Sequence, residues 1–192
     1  DRLIDSNNFR HIKATEIIAV DHPWYKKGFV QQEIKYLPEW SIFFLREKFL
    51  KFKKNFNAPK KVFIDRSDSV YSHCKLINNQ EIIQFLESKG YKSYQVSKLD
   101  FFEQIYLFEN ADIIISPHGA ALTNIIFSNP NLKLLELIPK DHGSIKCERI
   151  SKFLNFEYTR ISLEPIRLID IVGDIKIETN ELEKILQLSN LN

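Results

Sequence analysis

The stretch Ala111–Phe127, "ADIIISPHGAALTNIIF", decides the fold. Its apolar run ends at Ser116-Pro117-His118, passes the nearly side-chain-free Gly119, Ala120 and Ala121, and turns apolar again around Thr123 and Asn124. A run with almost no polar alternation suits a central strand of a parallel sheet, which is buried on both faces. The apolar segment after the turn predicts a helix over "GAALTNIIF".

Working outward, strands and helices alternate. "KVFID" (Lys61–Asp65) predicts a strand, and "NNQEIIQFLESKG" (Asn78–Gly90) a helix whose closing glycine suits a left-handed stop. "YKSYQV" predicts a second strand. Asp100 and Glu103 form a D-x-x-E capping box that opens the helix "FFEQIYLFEN". Beyond the opening stretch come the strand "KLLEL" (Lys133–Leu137), the helix "SIKCERISKFLNF" and the strand "EYTRI". Asn180 and Glu183 predict a further capping box on a closing helix. This alternation predicts an α/β fold, a Rossmann-like parallel sheet with helices on both faces, over residues 59–192. Before it, "EIIAV" (Glu16–Val20) predicts a short strand followed by the irregular "DHPWYKKGFV". Pro38 then opens a helix over about 38–56, with Leu45, Phe49, Phe52 and Phe56 as its apolar stripe. Asn57-Ala58-Pro59 breaks that helix and divides residues 1–58 from 59–192.

Composition narrows the function classes. With 192 residues, 44% hydrophobic and 27% charged, the chain has the make-up of an ordinary globular protein with a sizeable core. A net charge of +2 is too small to argue for nucleic acid, none is expected as a partner, and the basic run Lys51–Lys61 reads as the solvated end of a helix and its linker. Cys74 and Cys147 lie in no metal-binding spacing. No apolar run approaches the ~20 residues of a membrane span, and no secretory leader opens the chain. Opening on Asp1 fits a piece of a longer protein.

In such a sheet, ligands bind beyond the carboxyl ends of the strands. Ser116 to Gly119 stand there, and Gly119, Ala120 and Ala121 let a phosphate approach the unpaired amides of the next helix. Thr123 and Asn124, one turn in, would complete the contact, with His118 at the lip. Glu136, near the end of the next strand, is placed to accept from a ribose diol. Arg66, directly after "FID", would neutralise a phosphate. Packing alone would also explain small residues at a strand-to-helix turn. Neither G-x-G-x-x-G nor G-x-x-x-x-G-K-[ST] occurs, which counts against a dinucleotide dehydrogenase and a P-loop ATPase.

At these residues the chain resembles glycosyltransferase family 61, whose members share "HGA-x-L-T-N-x-x-F" and then a strand ending "E-L-x-P". The matching positions are His118 to Asn124 with Phe127, then Glu136 to Pro139. Upstream, "DRSDSVYSHCKLINNQEII" is similar to the family's segment of two spaced arginines, two apolar residues and Asn-Glu-x-Glu, with Arg66, Asn78 and Glu81 in register. Lys75 stands in place of the second arginine, and Asn79 in place of the first acid.

The resemblance implies the C-terminal, nucleotide-binding half of a GT-B enzyme, with residues 1–58 as linker and remnant of the preceding half. It implies transfer of a sugar from a nucleotide-sugar donor, usually a UDP-sugar, to a glycan or polysaccharide acceptor, with inversion. Arg66, Lys75, Gly119, Ala120, Ala121, Thr123, Asn124 and Glu136 would bind the donor. His118 is the catalytic candidate, while Asp141, His142 and His11 are other possible bases. No cofactor or metal is expected, and no Asp-x-Asp occurs. The composition points to a bacterial enzyme of surface-polysaccharide or capsule synthesis in the cytoplasm, peripheral to the inner membrane face; the alternative location is the secretory lumen. The rival readings are a non-catalytic nucleotide-sugar-binding module needing a partner half, and a metal-dependent hydrolase using His118, Asp141 and His142. The hydrolase is disfavoured, because that spacing matches no standard zinc set.

Overall fold

The structure, a computed structural model, describes residues 13, 15, 16, 37–69, 74–166 and 173–191. Of the strand expected over Glu16–Val20 all but Glu16, and the candidate base His11, lie outside the described residues.

Five parallel strands form one sheet: β1 (Lys61–Ile64), β2 (Lys92–Tyr94), β3 (Ile113–Pro117), β4 (Lys133–Pro139) and β5 (Glu157–Leu163), in the order β2-β1-β3-β4-β5. The sheet is covered on both faces. Val62, Ile64, Ile114 and Leu134 point to one layer, where α1 (Glu39–Phe49), α3 (Phe101–Asn110), the 3-10 helix Ala120–Phe127 and α4 (Lys146–Leu154) pack. Phe63, Ile115, Leu135 and Leu137 point to the other, against α2 (Asn79–Ser88) and α5 (Thr179–Leu188). This is the expected Rossmann-like α/β fold, and β3 is its buried central strand. The order reverses between β1 and β3, so the crevice for a ligand in a doubly wound sheet opens at their carboxyl ends.

Local chemistry explains three of the helix ends. Asp100 accepts from the Glu103 backbone N–H at 2.8 Å while Glu103 Oε2 accepts from the Asp100 N–H at 3.1 Å, completing the capping box of α3. Gly90, at φ 83°, terminates α2 in the left-handed region. Asn155, at φ 56°, does the same for α4.

Three expectations change. The helix expected over 38–56 is α-helical only for Glu39–Phe49, then tightens into a 3-10 turn over Leu50–Phe52. That tightening breaks the stripe: Leu45, Phe49 and Phe56 pack on the core, while Phe52 is 55% exposed. "GAALTNIIF" is 3-10 rather than α, so three residues make a turn and the macrodipole at its start is short. Asn180 and Glu183 form no capping box, because α5 starts at Thr179 and Glu183 reaches Lys89 at 2.6 Å instead. Among the described residues no helix is long and apolar enough to cross a membrane.

Candidate functional site

The site is built at the switch point, from the segments that leave β1 and β3. Asp65 fixes the first of these. Its two oxygens accept from the Ser67 N–H and hydroxyl, Asn79 Nδ2 and Gln95 Nε2, all within 2.8–2.9 Å. Burial raises its pKa, and those four bonds outweigh that and hold it below the ordinary carboxylate value. Asn79 is therefore an amide that donates to Asp65, where an acid would meet a like charge.

Arg66 then turns inward. It is 9% exposed, its Nη1 donates to the His118 carbonyl oxygen, and its Nη2 reaches Ser69 Oγ at 3.3 Å. Among the described residues it forms no ion pair with a carboxylate. Burial lowers its pKa, with Cys74 and Asp68 only partly opposing. A desolvated guanidinium with neutral partners is an incomplete arrangement that an anion would complete.

Gly119 serves this arginine. A Cβ built on it would overlap Arg66 Cζ, Nε and Nη1, so the missing side chain makes room for the guanidinium. On the next peptide, Lys146 Nζ donates to the Gly119 carbonyl at 2.9 Å and lies 3.4 Å from Thr123 Oγ1. Since a peptide is planar, holding the Gly119 carbonyl at Lys146 aims the Ala120 N–H the opposite way. Ala120 and Ala121 open the 3-10 helix, and their N–H groups have no partner within it. Burial lowers the pKa of Lys146 too, with Cys147 and Glu136 opposing and Arg66 adding to the effect.

A cleft of about 390 Å³ lies against these groups, lined by Arg66, Val96, Gln104, Ala120, Ala121 and Asn124 among others. Gln104 Nε2 donates to the carbonyls of Val96 and Leu99 at 3.1 and 3.0 Å, which leaves its oxygen to accept from Asn124 Nδ2 at 3.0 Å. Thr123 is exposed and does not line this cleft. Lys75 lines a neighbouring one that shares Arg66.

His118 and Glu136 meet beneath the turn. His118 Nδ1 lies 2.5 Å from Glu136 Oε1, Tyr158 donates to Oε2 at 2.6 Å, and the Cys147 thiol lies 3.4 Å from Oε1. Glu136 is 1% exposed, so it presents no open carboxylate to a ribose. Burial raises its pKa, but the bond and charge of His118, with the bonds from Tyr158 and Cys147, hold it below the ordinary value. The same burial pushes the Tyr158 hydroxyl and the Cys147 thiol up. Glu136 engages the ring through Nδ1 and so fixes its orientation, in a histidine that is 8% exposed. The His142 ring packs on His118, 4.2 Å between centroids, on a loop held by Arg160 through the carbonyls of His142 and Ser144. Among the described residues no group of three or more His, Cys, Asp or Glu is arranged to hold a metal ion.

Lys146, Tyr158 and Gln104 are site residues that sequence reasoning missed. The parallel register that brings Tyr158 in pairs Leu134 with Tyr158 and Glu136 with Arg160, which puts all four on one face.

A family model described as Glycosyltransferase 61 matches residues 4–135, from before α1 through Arg66 and the His118-Gly119 turn into β4. The chain belongs to glycosyltransferase family 61. This family 61 chain is similar to the beta-1,2-xylosyltransferase RCN11 of Oryza sativa subsp. japonica, 27% identical over 148 residues, covering 68% of this chain and 28% of the rice protein. It is also similar to the beta-1,2-xylosyltransferase of Arabidopsis thaliana, 31% identical over 78 residues, covering 38% of this chain and 15% of that protein. The chain thus spans less than a third of the length of the curated relatives it matches.

Proposed function

We propose that this family 61 chain is the donor-binding part of an inverting glycosyltransferase that takes a sugar from a uridine diphosphate donor and places it on a glycan. The observation that carries the reading is the buried guanidinium of Arg66, without a carboxylate partner among the described residues, beside the open amides of Ala120 and Ala121. Such a pair of features suits a diphosphate. The relatives' names make xylose the first sugar to test, and a β linkage formed from an α-linked UDP-xylose is an inversion.

In the proposed reaction an acceptor hydroxyl oxygen attacks the anomeric carbon on the face opposite the diphosphate. The bond from that carbon to the phosphate oxygen breaks, and its electron pair leaves with UDP. His118 Nε2 takes the acceptor's proton, while Glu136 holds the ring's orientation and stabilises the imidazolium that forms. Arg66 and the amide donors stabilise the charge growing on the leaving phosphate. In this reading they occupy the role a divalent cation plays elsewhere, and no metal is required.

Calorimetry of the chain with UDP, GDP, CDP and dTDP, each with and without chelator, tests the proposal. UDP is expected to bind best, unaffected by chelator, and Arg66→Ala to weaken it. Absence of nucleotide binding, or equal binding by the variant, would overturn it. Because the match covers only 28% of the rice relative, a donor-binding module that needs the rest of the enzyme for transfer is the second reading. UDP binding without transfer, even after the missing part is supplied, would favour that one.

A further inference from the structure

Arg66 is a wall shared by two clefts. The second, of about 360 Å³, lies toward the α2 and α5 face and is lined by Lys75, Ile77, Asn79, Pro117 and Asp174 among others. Its lining sets the carboxylate of Asp174 beside the cations Arg66 and Lys75. Asp174 is 7% exposed and its Oδ1 accepts the Lys75 backbone N–H at 3.1 Å; among the described residues nothing bonds its Oδ2. A carboxylate accepts short, charge-assisted bonds from hydroxyl groups.

The other groups agree with that preference. Asn79 uses Nδ2 on Asp65, so its Oδ1 remains an acceptor, with no bond from the described residues. Lys75 Nζ has no partner among the described residues either, and adds a donor. Pro117 and Ile77 supply an apolar wall, and Ile77 stands 52% exposed at its mouth. The wall is held firmly. Ile175 donates its N–H to the Lys75 carbonyl at 2.8 Å, and Ile77 donates to the Ile175 carbonyl at 2.9 Å, which fixes Asp174 against Lys75. Hydroxyl-seeking groups around an apolar face match a sugar ring, which has hydroxyls at its rim and C–H bonds on its faces.

We infer that the second cleft is the sugar subsite of the donor, with the diphosphate lying over Arg66 and the nucleoside in the first cleft. This rests on the proposed function. Each cleft is near the small end of the usual range of about 300–1,000 Å³ for small-molecule sites, which fits two joined halves of one ligand better than one whole ligand in either. Asp174 and Ile77 thereby become the residues that read the sugar.

The test compares UDP with UDP-xylose and UDP-glucose by calorimetry on the wild-type chain, Asp174→Asn and Ile77→Lys, with melting temperatures taken alongside. Asparagine keeps the oxygen that accepts from Lys75, and Ile77 is on the rim, so the second variant decides should the first lower stability. Both variants are expected to weaken the UDP-sugar that binds best by about tenfold, while UDP itself changes less than about twofold. Equal losses for UDP and UDP-sugar, or no loss, would overturn the subsite. Failure of the wild-type chain to bind UDP at all would instead overturn the functional reading beneath it.

Discussion

Arg66 Nη1 donates to the carbonyl oxygen of His118, and its guanidinium fills the space that a side chain on Gly119 would need. The small residue at 119 is therefore explained by an intramolecular neighbour. Its φ of 168° is ordinary extended backbone, open to any residue, so the requirement is steric alone.

Gly119→Ala is expected to push the guanidinium aside and to lower UDP affinity about as much as Arg66→Ala. That loss is on the order of 1.5–3 kcal/mol for a charge-assisted contact. Because both changes remove one interaction, the double variant should lose no more than either single one. Additive losses in calorimetry would show that the two residues act separately.

Lys146→Met should free the Gly119–Ala120 peptide and weaken UDP by roughly tenfold, or about 1.4 kcal/mol, through loss of the aimed amide and of a nearby cation. Lys146→Gln retains an N–H donor and should restore part of the affinity. Unchanged binding by Lys146→Met would remove the lysine from the site.

Glu136 gives a pH signature. Its folded pKa is depressed below the ordinary value of 4.5, so its stabilising contribution is present above that pH and is lost as pH falls through the folded value. The wild-type chain should therefore lose urea resistance faster than Glu136→Gln as pH is lowered from 5 to 3. Parallel midpoints over that range would contradict the depression.

Tyr158→Phe removes one of the donors to a buried carboxylate and should destabilise the fold by about 1–3 kcal/mol. Thermal melts at pH 7 check this, and a change within error would mean that water replaces the hydroxyl.

Asp100→Ala opens the capping box of α3 and also removes a partner of Lys54, which lies 2.9 Å from Asp100 and 2.7 Å from Glu103. A cost of about 0.5–2 kcal/mol is expected, almost all of it from the cap. Equal denaturant midpoints for the variant and the parent would refute it.

How much of this was readable beforehand depended on how local each signal was. The apolar strand run Ile113–Ile115, the capping box at Asp100 and the left-handed stop at Gly90 rest on near neighbours, and the structure has them as read. The 3-10 character of Ala120–Phe127 was not readable, since nearly every position is apolar or small and no stripe distinguishes a turn of three from one of 3.6 residues. Glu136, expected near the end of its strand, is the middle residue of β4 because the strand runs on to Pro139, and α4 and β5 close over it. Burial of that kind is decided by distant segments. Lys146 and Asp174 likewise come from parts of the chain that only the packing brings to Arg66 and Lys75.

Both cysteines are free thiols sealed from solvent, one in the layer of α4 and the other just ahead of α2. Burial lifts Cys74 to about 11 and Cys147 well above its ordinary value, so neither exists as thiolate at neutral pH. An alkylating reagent will thus leave the native molecule untouched and mark each sulfur only when its surroundings come apart. Timed labelling read by mass spectrometry turns the pair into separate reporters of how readily the two sides of the protein breathe.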